Sequence, residues 1–362
     1  MGTDNIMKNF SELIILKDET VINALSQLNK TAKKILFVVD KQNRLVGSLT
    51  DGDIRRWILK GGDVKAIVDD VCYKDTYCVK MDYKISKVKK EMKSKKIIYV
   101  PVLDDAKRII EFLIYDSFFA ENITIKPVRK LNANIVIMAG GKGTRLDPFT
   151  KILPKTLIPV GEKTILERII EKFQNFGVNH FYLSINYKAN IIKSYFEEIK
   201  PKYKISYIYE NKPLGTIGAL RHIIEGKIKN REIILTNCDI IVEADYFDIL
   251  RFHKKNRNDI TVVASLKNYR IPYGVCKLDK NGLLFKMEEK PEYNFLVNTG
   301  MYVINLDMIE YIPKEQMFHA TELIKSAKKD GKRVGIYPVS EDAWIDIGEW
   351  DEYKKVINRL IL

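Results

Sequence analysis

The residues best placed to do chemistry form one run, Ala139-Gly140-Gly141-Lys142-Gly143-Thr144-Arg145-Leu146, followed closely by Pro154-Lys155 and Pro159-Val160. Glycines reach φ > 0 and let peptide N–H groups approach a polyanion, while a guanidinium and an ammonium neutralise phosphate charge. A pair of glycines by itself would mean no more than a loop. The ordered Arg145, Lys155 and Pro-Val that follow turn the reading to nucleotide phosphates. The run is not a dinucleotide fingerprint, because Leu146 stands where a third glycine belongs, and no Gly-Lys-Ser/Thr of a P-loop follows.

Two carboxylates occupy similarly unusual places. Ile233-Ile234-Leu235-Thr236-Asn237-Cys238-Asp239 reads as a buried strand ending in a charge, and Trp344-Ile345-Asp346-Ile347-Gly348 sets a second Asp in apolar surroundings beside a glycine. A buried charge needs a cation, and two carboxylates with phosphate oxygens and water suit Mg²⁺. Asp239 and Asp346 are therefore the candidate metal ligands. Pro213-Leu214-Gly215-Thr216-Ile217-Gly218 is a second glycine loop able to admit a base or ribose, and Glu288-Glu289-Lys290-Pro291 with Asn298-Thr299-Gly300 offers groups that suit a sugar phosphate. Seen alone, Glu289-Lys290 would be an ordinary exposed turn.

Elements that position these residues follow from periodicity. Apolar, β-branched runs predict strands at 134–139, 180–185, 205–209, 232–236 and 260–266, with helices at 164–176, 188–198 and 216–225, the rhythm of an α/β, mostly parallel sheet. In such sheets ligands gather at the carboxyl ends of strands, where the glycine loop and Asp239 both fall. At 362 residues the chain is long enough for two domains. The net charge of +14 divides evenly, 25 basic and 18 acidic side chains in the first 130 residues giving +7 and the remainder another +7. That spread, with no aromatic platform or reading motif, argues against nucleic acid. The densest cluster, Lys84 to Lys96, has Ile85, Val88 and Met92 at helical spacing opposite it and reads as a solvated helix face. No apolar run approaches the roughly 20 residues that span a bilayer, and the polar start lacks a signal peptide's regions, so no membrane and a cytoplasmic setting are expected. Cys72, Cys78, Cys238 and Cys276 form no CxxC pair, as expected of reduced thiols.

A shift of 64 positions lays the first 130 residues over themselves: Asp18 on Asp82, Val21 on Ile85, Leu28 on Met92, Val39-Asp40 on Leu103-Asp104 and Arg44 on Arg108. Each copy reads as helix, strand, turn, strand and helix, and two copies bury what one cannot. With Gly47-Ser48-Leu49-Thr50-Asp51-Gly52-Asp53, the first copy resembles a CBS domain and the pair a tandem CBS module over 1–128, with copies at about 14–60 and 78–122. That resemblance implies a regulatory purine nucleotide held by Thr50 and Asp53; the alternative is that these residues cap a helix and the pair serves assembly. The second copy carries Glu111, Ile114 and Ser117 instead. A linker is expected over 122–130, ahead of a catalytic domain at 132–362.

Taken in order, Gly-Gly-x-Gly-Thr-Arg-Leu, Pro-Lys, Leu-Gly-Thr-x-Gly, Asn-x-Asp, Glu-Lys-Pro, Asn-Thr-Gly and Trp-x-Asp-x-Gly closely resemble the sugar-1-phosphate nucleotidyltransferases. The resemblance implies a Rossmann-like nucleotidyltransferase fold behind a smaller α+β CBS domain. It implies Gly140, Gly141, Gly143, Thr144 and Gly215 at the nucleotide, and Arg145 and Lys155 on its phosphates with Asp239 as the third catalytic residue. It further implies Asp239 and Asp346 on Mg²⁺, and Gly274, Glu289, Lys290 and Asn298 at the sugar phosphate. Substrates would be a nucleoside triphosphate and a sugar 1-phosphate, and a homo-oligomer is expected. A CBS pair fused ahead of this catalytic half resembles the architecture of bacterial glucosamine-1-phosphate guanylyltransferases of legionaminic-acid pathways and of related mannose-1-phosphate guanylyltransferases, and that architecture, rather than any base-reading residue, points to GTP. UTP or CTP, a choline phosphate acceptor, or a non-catalytic nucleotide-sugar sensor stay open as alternatives.

Overall fold

A computed structural model describes residues 11–31, 35–95, 97–114, 130–223, 228 and 230–361. The chain divides into two compact units, Met1–Pro127 and Val128–Leu362; the expected linker and Ser117 lie mostly or wholly outside the described residues.

In the first unit β1 (Ile14–Leu16), a helix (Val21–Thr31), β2 (Ile35–Val39), β3 (Leu45–Thr50) and a helix (Asp51–Leu59) are followed by β4 (Val79–Lys80), a helix (Ile85–Lys95), β5 (Tyr99–Leu103) and β6 (Ile109–Ile114). β1-β2-β3 and β4-β5-β6 are two three-stranded sheets, each with its first pair parallel and its second antiparallel. The 64-residue shift maps β2 onto β5, β3 onto β6, and the bulge at Val38/Val39 onto that at Val102/Leu103. It also maps the Asp40–Arg44 ion pair onto Asp104–Arg108, and the positive φ of 62° at Asn43 onto 62° at Lys107. The copies meet where Leu13, Phe37 and Val39 pack with Leu103, Ile109 and Phe112, so each covers the other's apolar face. On the lysine-rich helix Val88 and Met92 are buried as the spacing predicts, whereas Ile85, its first residue, is 42% exposed.

The second unit runs through β7 (Asn134–Met138), β8 (Pro159–Val160), β9 (Lys163–Thr164), β10 (His180–Ile185), β11 (Lys204–Tyr209), β12 (Glu232–Asn237), β13 (Ile240–Val242), β14 (Ile260–Arg270), β15 (Val275–Leu278), β16 (Leu284–Glu288), β17 (Glu292–Asn305), β18 (Val334–Ser340) and β19 (Trp344–Asp346). Seven of them form one sheet in the order β11-β10-β7-β12-β17-β14-β18, with β17 antiparallel to both neighbours and every other pairing parallel. β7 is buried at all five positions, which is why its sequence is a continuous apolar run. One face is covered by helices including Ile165–Gln174, begun by a Thr164/Glu167 capping box, and Tyr246–Lys255; the other by Leu306–Tyr311 and Ala320–Lys329. The α/β class with a mostly parallel sheet is the one expected.

Two expectations need correction. The helix predicted at 216–225 is a 3₁₀ segment, Gly218–Ile223, with 224–225 outside the described residues. Gly215 and Gly218 weaken a helix start, and a Cβ at Gly215 would stand 2.6 Å from the Phe318 carbonyl oxygen, so close backbone packing overrides the pattern. The strand predicted at 260–266 continues to Arg270, pairing with β17 beyond the sheet and carrying the β15–β16 hairpin as an arm. No helix among the described residues is long and apolar enough to cross a membrane.

Candidate active site

The carboxyl end of β12 carries Asp239 past the sheet, and β13 then pairs antiparallel with β19, setting Ile240 opposite Asp346. The Ile347 N–H donates to the Asp239 carbonyl at 2.8 Å, closing the ribbon behind the two carboxylates. Their convergence is measured at Gly348: a Cβ there would lie 2.8 Å from Asp239 Oδ2, 2.8 Å from Asp346 Oδ1 and 3.0 Å from Lys155 Nζ. The two aspartates and the lysine thus face one small volume that only glycine leaves open.

Lys155 ion-pairs with Asp239, with side-chain exposures of 12% and 21%. This was not legible beforehand; the sequence suggested a metal as the partner of Asp239 and phosphate as the partner of Lys155. Burial pushes the Asp346 carboxyl above the usual carboxylate range, the Gly348 N–H at 2.8 Å and the Lys155 ammonium work against that, and the Asp239 charge adds to it. Burial likewise raises the neighbouring Cys238 thiol to about 12, so it stays a protonated, unreactive wall.

The first glycine loop abuts this cluster. Gly143, at φ 69°, starts a 3₁₀ turn through Thr144 and Arg145, and a Cβ on it would stand 2.8 Å from Lys155 Cβ. Arg145 is exposed and reaches Glu349 at 3.3 Å, one residue beyond Gly348. The Trp350 indole N–H donates to the Asp147 carbonyl at 2.9 Å and its ring packs 5.1 Å from Phe149, clamping the loop to the chain around Asp346. Gly141 faces open space.

Glu210, which sequence reasoning missed, joins the two glycine loops. It is 8% exposed at the end of β11, accepts from the Ser184 hydroxyl and, at 3.0 Å, from the Leu214 N–H, and would lie 2.8 Å from a Cβ on Gly140. Its signal was a lone charge closing the run Tyr207-Ile208-Tyr209 just before Pro213-Leu214-Gly215.

Of the sugar-phosphate candidates, Asn298 lies nearest the cluster. Its amide donates to the Tyr302 hydroxyl at 2.6 Å and accepts from the Gly300 N–H at 3.0 Å, while Gly300 packs against Asn237, two residues before Asp239. Gly274, Glu289 and Lys290 sit on the arm. Gly274 faces Glu289, whose Oε2 would be 3.0 Å from a Cβ there, and both Glu289 and Lys290 are exposed.

For a divalent cation the donor set is two carboxylates that converge, each with an oxygen 2.8 Å from where a Cβ on Gly348 would stand. Among the described residues no group of three or more His, Cys, Asp and Glu side chains gathers to hold a metal. Two carboxylates alone would leave the rest of an ion's coordination to substrate oxygens and water.

A nucleotidyl transferase family profile matches residues 134–361, the whole of this unit from β7 onward. The chain belongs to the nucleotidyl transferase family. A CBS profile matches residues 5–60. The chain is similar to the catalytic subunit beta of mannose-1-phosphate guanylyltransferase from Dictyostelium discoideum, 30% identical over 59% of this chain and 60% of that protein. It is also similar to the D-glycero-alpha-D-manno-heptose 1-phosphate guanylyltransferase of Campylobacter jejuni, 31% identical over 60% of this chain and 96% of that one. Among solved structures, HddC from Yersinia pseudotuberculosis matches with a TM-score of 0.50 and 27% identity, over 63% of this chain and 99% of the other. The chain therefore spans about 60% of the Dictyostelium relative but nearly all of the shorter bacterial ones.

In the CBS unit, Thr50 caps the helix Asp51–Leu59 in a capping box with Asp53, whose carboxylate accepts from the Thr50 N–H at 2.9 Å and from its hydroxyl at 2.6 Å. Arg56 pairs with the same carboxylate and Arg55 with Asp51. Capping accounts for both residues as they stand; a ribose diol would share or displace the Asp53 contacts.

Proposed function

We propose that this chain is a sugar-1-phosphate guanylyltransferase, joining GTP to a sugar 1-phosphate with release of pyrophosphate. The observation that carries the reading is the meeting of Asp239, Asp346 and Lys155 around Gly348, beside the Gly143–Arg145 turn and at the carboxyl end of a parallel sheet. The acceptor's phosphate oxygen attacks the α-phosphorus in line. That oxygen is already anionic near neutral pH, so no general base is required, and the protein's work is to bring two polyanions together and offset the charge that develops on pyrophosphate. Arg145 and Lys155 supply fixed positive charge, and Gly140, Gly141, Gly143, Thr144 and Gly215 supply close backbone approach. Magnesium held by Asp239 and Asp346 would add Lewis-acid stabilisation of the phosphates.

GTP is favoured because the mannose and heptose relatives are guanylyltransferases, although a UTP–glucose-1-phosphate uridylyltransferase of Synechocystis is also 27% identical over 62% of this chain. For the acceptor we take glucosamine 1-phosphate, in a route to legionaminic-acid-type surface glycans, with mannose 1-phosphate, the alternative already open from the sequence, and heptose 1-phosphate, which the Campylobacter relative introduces, as competitors. Gly274, Glu289, Lys290 and Asn298 would meet it. The N-terminal unit is assigned as a tandem CBS module sensing a purine nucleotide through Thr50 and Asp53, and the cytoplasm as the setting for its free thiols. Pyrophosphate release, with four nucleoside triphosphates crossed against a panel of sugar 1-phosphates, tests class, base and sugar together. Turnover with GTP and an aminosugar 1-phosphate supports the full reading; turnover only with UTP or CTP overturns the base, and none with any pair overturns the activity.

A further inference from the structure

A polar cavity of about 360 Å³ lies at the end of the sheet away from the carboxylate cluster, within the size range of small-molecule sites. It opens where β12 begins at Glu232, where the Cα partner of that residue, Asn305, ends β17, and where the helix Tyr246–Lys255 turns into β14. β12 is six residues long, about 20 Å at the rise of an extended strand, and Asp239 lies beyond its other end. A small ligand here is therefore out of reach of the cluster. The buried side chains in and behind the cavity wall satisfy one another. His253 meets Thr261 and Asn305 through its two ring nitrogens, the Asn305 amide donates to the Asn258 carbonyl at 3.0 Å, and the Asn258 amide donates to the Thr261 hydroxyl at 3.0 Å. All four are buried, and a closed network of this kind holds the wall in place before any ligand arrives.

The residues lining the cavity also carry groups that the fold leaves unengaged. Asp259 Oδ2 accepts from the Arg333 N–H at 2.8 Å and Glu232 Oε1 pairs with Lys254 at 3.1 Å, but Asp259 Oδ1, Glu232 Oε2 and Asn258 Oδ1 accept from no donor among the described residues. The Arg257 guanidinium likewise has neither hydrogen bond nor ion pair among them. Arg257 follows the C-cap Asn256 with φ 50°; its N–H donates to the Lys254 carbonyl and the Asn258 N–H to the His253 carbonyl, each at 3.1 Å. That is a Schellman close, whose left-handed residue is usually glycine. An arginine there costs stability that no bond of its own offsets, and local rules are broken in this way chiefly at functional positions. The unengaged groups define the chemistry of a ligand. Arg257, flanked by Lys254 and by Arg231, suits a phosphate, to which a guanidinium donates in pairs. The three free oxygens accept only, which suits hydroxyl donors. An inorganic anion would meet these oxygens with its own charge, and a neutral sugar would leave the guanidinium unused. We propose that this cavity is a second small-molecule site, independent of the activity proposed above, which binds a phosphorylated sugar with Arg257 at the phosphate and Glu232, Asp259 and Asn258 at the hydroxyls.

Calorimetry on the full chain titrated with glucose 6-phosphate tests this, because a 6-phosphate is not the acceptor of the proposed reaction. Saturable binding is expected, at least about tenfold tighter than that of glucose or of inorganic phosphate alone. Arg257→Gly and, separately, Glu232→Gln are expected to weaken it by about tenfold or more, while Lys290→Ala, on the arm, leaves it unchanged. Glycine relieves the left-handed position, so the melting temperature of Arg257→Gly is expected to equal or exceed the parent's, which shows the fold to be intact. Absence of saturable binding at millimolar glucose 6-phosphate overturns the proposal. Inorganic phosphate binding as tightly as the sugar phosphate also overturns it, since the site would then be an anion patch. So does binding that Lys290→Ala weakens and both cavity variants leave unchanged, since the probe would then occupy the acceptor side of the cluster.

Discussion

Asp346 is unfavourably placed for a charge, because burial and the Asp239 carboxylate both hold its pKa above the ordinary value. The sign follows: the folded chain binds this proton more tightly than the unfolded one, so the stabilising contribution is complete below the usual carboxylate pKa of about 3.9 and is lost as pH rises through the folded value. Asp346→Asn is expected to raise the melting temperature at neutral pH in chelator and to flatten that slope, while pyrophosphate release falls by about 10²–10³. Calorimetry and turnover measured on the same preparation check both halves. His253 behaves in the opposite sense. It is 1% exposed, both ring nitrogens are engaged, at 2.9 Å with Thr261 and 3.1 Å with Asn305, and burial lowers its pKa. Stability is expected to fall as pH drops below about 6.5, and His253→Gln should shrink that loss in acid unfolding curves.

At the scale of elements, the site depends on how two ribbons and two loops are pinned. Gly348→Ala places a methyl within 3 Å of both carboxylates, so turnover is expected to drop at least tenfold with little change in melting temperature; a variant with normal turnover would show that the volume is not used. Glu210→Ala leaves the Ser184 hydroxyl and the Leu214 N–H without their acceptor, and a loss of about 1–3 kcal/mol in urea unfolding is expected. The strands and the first glycine loop were legible in the sequence because apolar runs and turn glycines are local signals. The Lys155–Asp239 pair, 84 residues apart, and the Glu210 brace were not, since each joins segments distant in the chain, a 3₁₀ turn to the loop after β12 in the first case and the ends of β11 and β10 in the second.

Over the whole molecule, the repeat was the most legible feature, since a 64-residue shift predicted elements that recur in the structure down to a shared bulge and a matching turn. What the sequence left open is whether the Thr50–Asp53 capping box also serves a ligand. If the N-terminal unit senses a purine nucleotide, calorimetry on the full chain should show a binding event that Asp53→Ala removes while turnover without effector is unchanged.

The central claim is that Asp239 and Asp346 together hold the divalent ion that lets this cluster work on a triphosphate. Manganese titration followed by electron paramagnetic resonance, in the presence of a non-hydrolysable GTP analogue, tests it directly. One ion should bind per chain, with affinity at least tenfold weaker in Asp239→Asn and in Asp346→Asn alike. Unchanged binding in either variant would contradict the account.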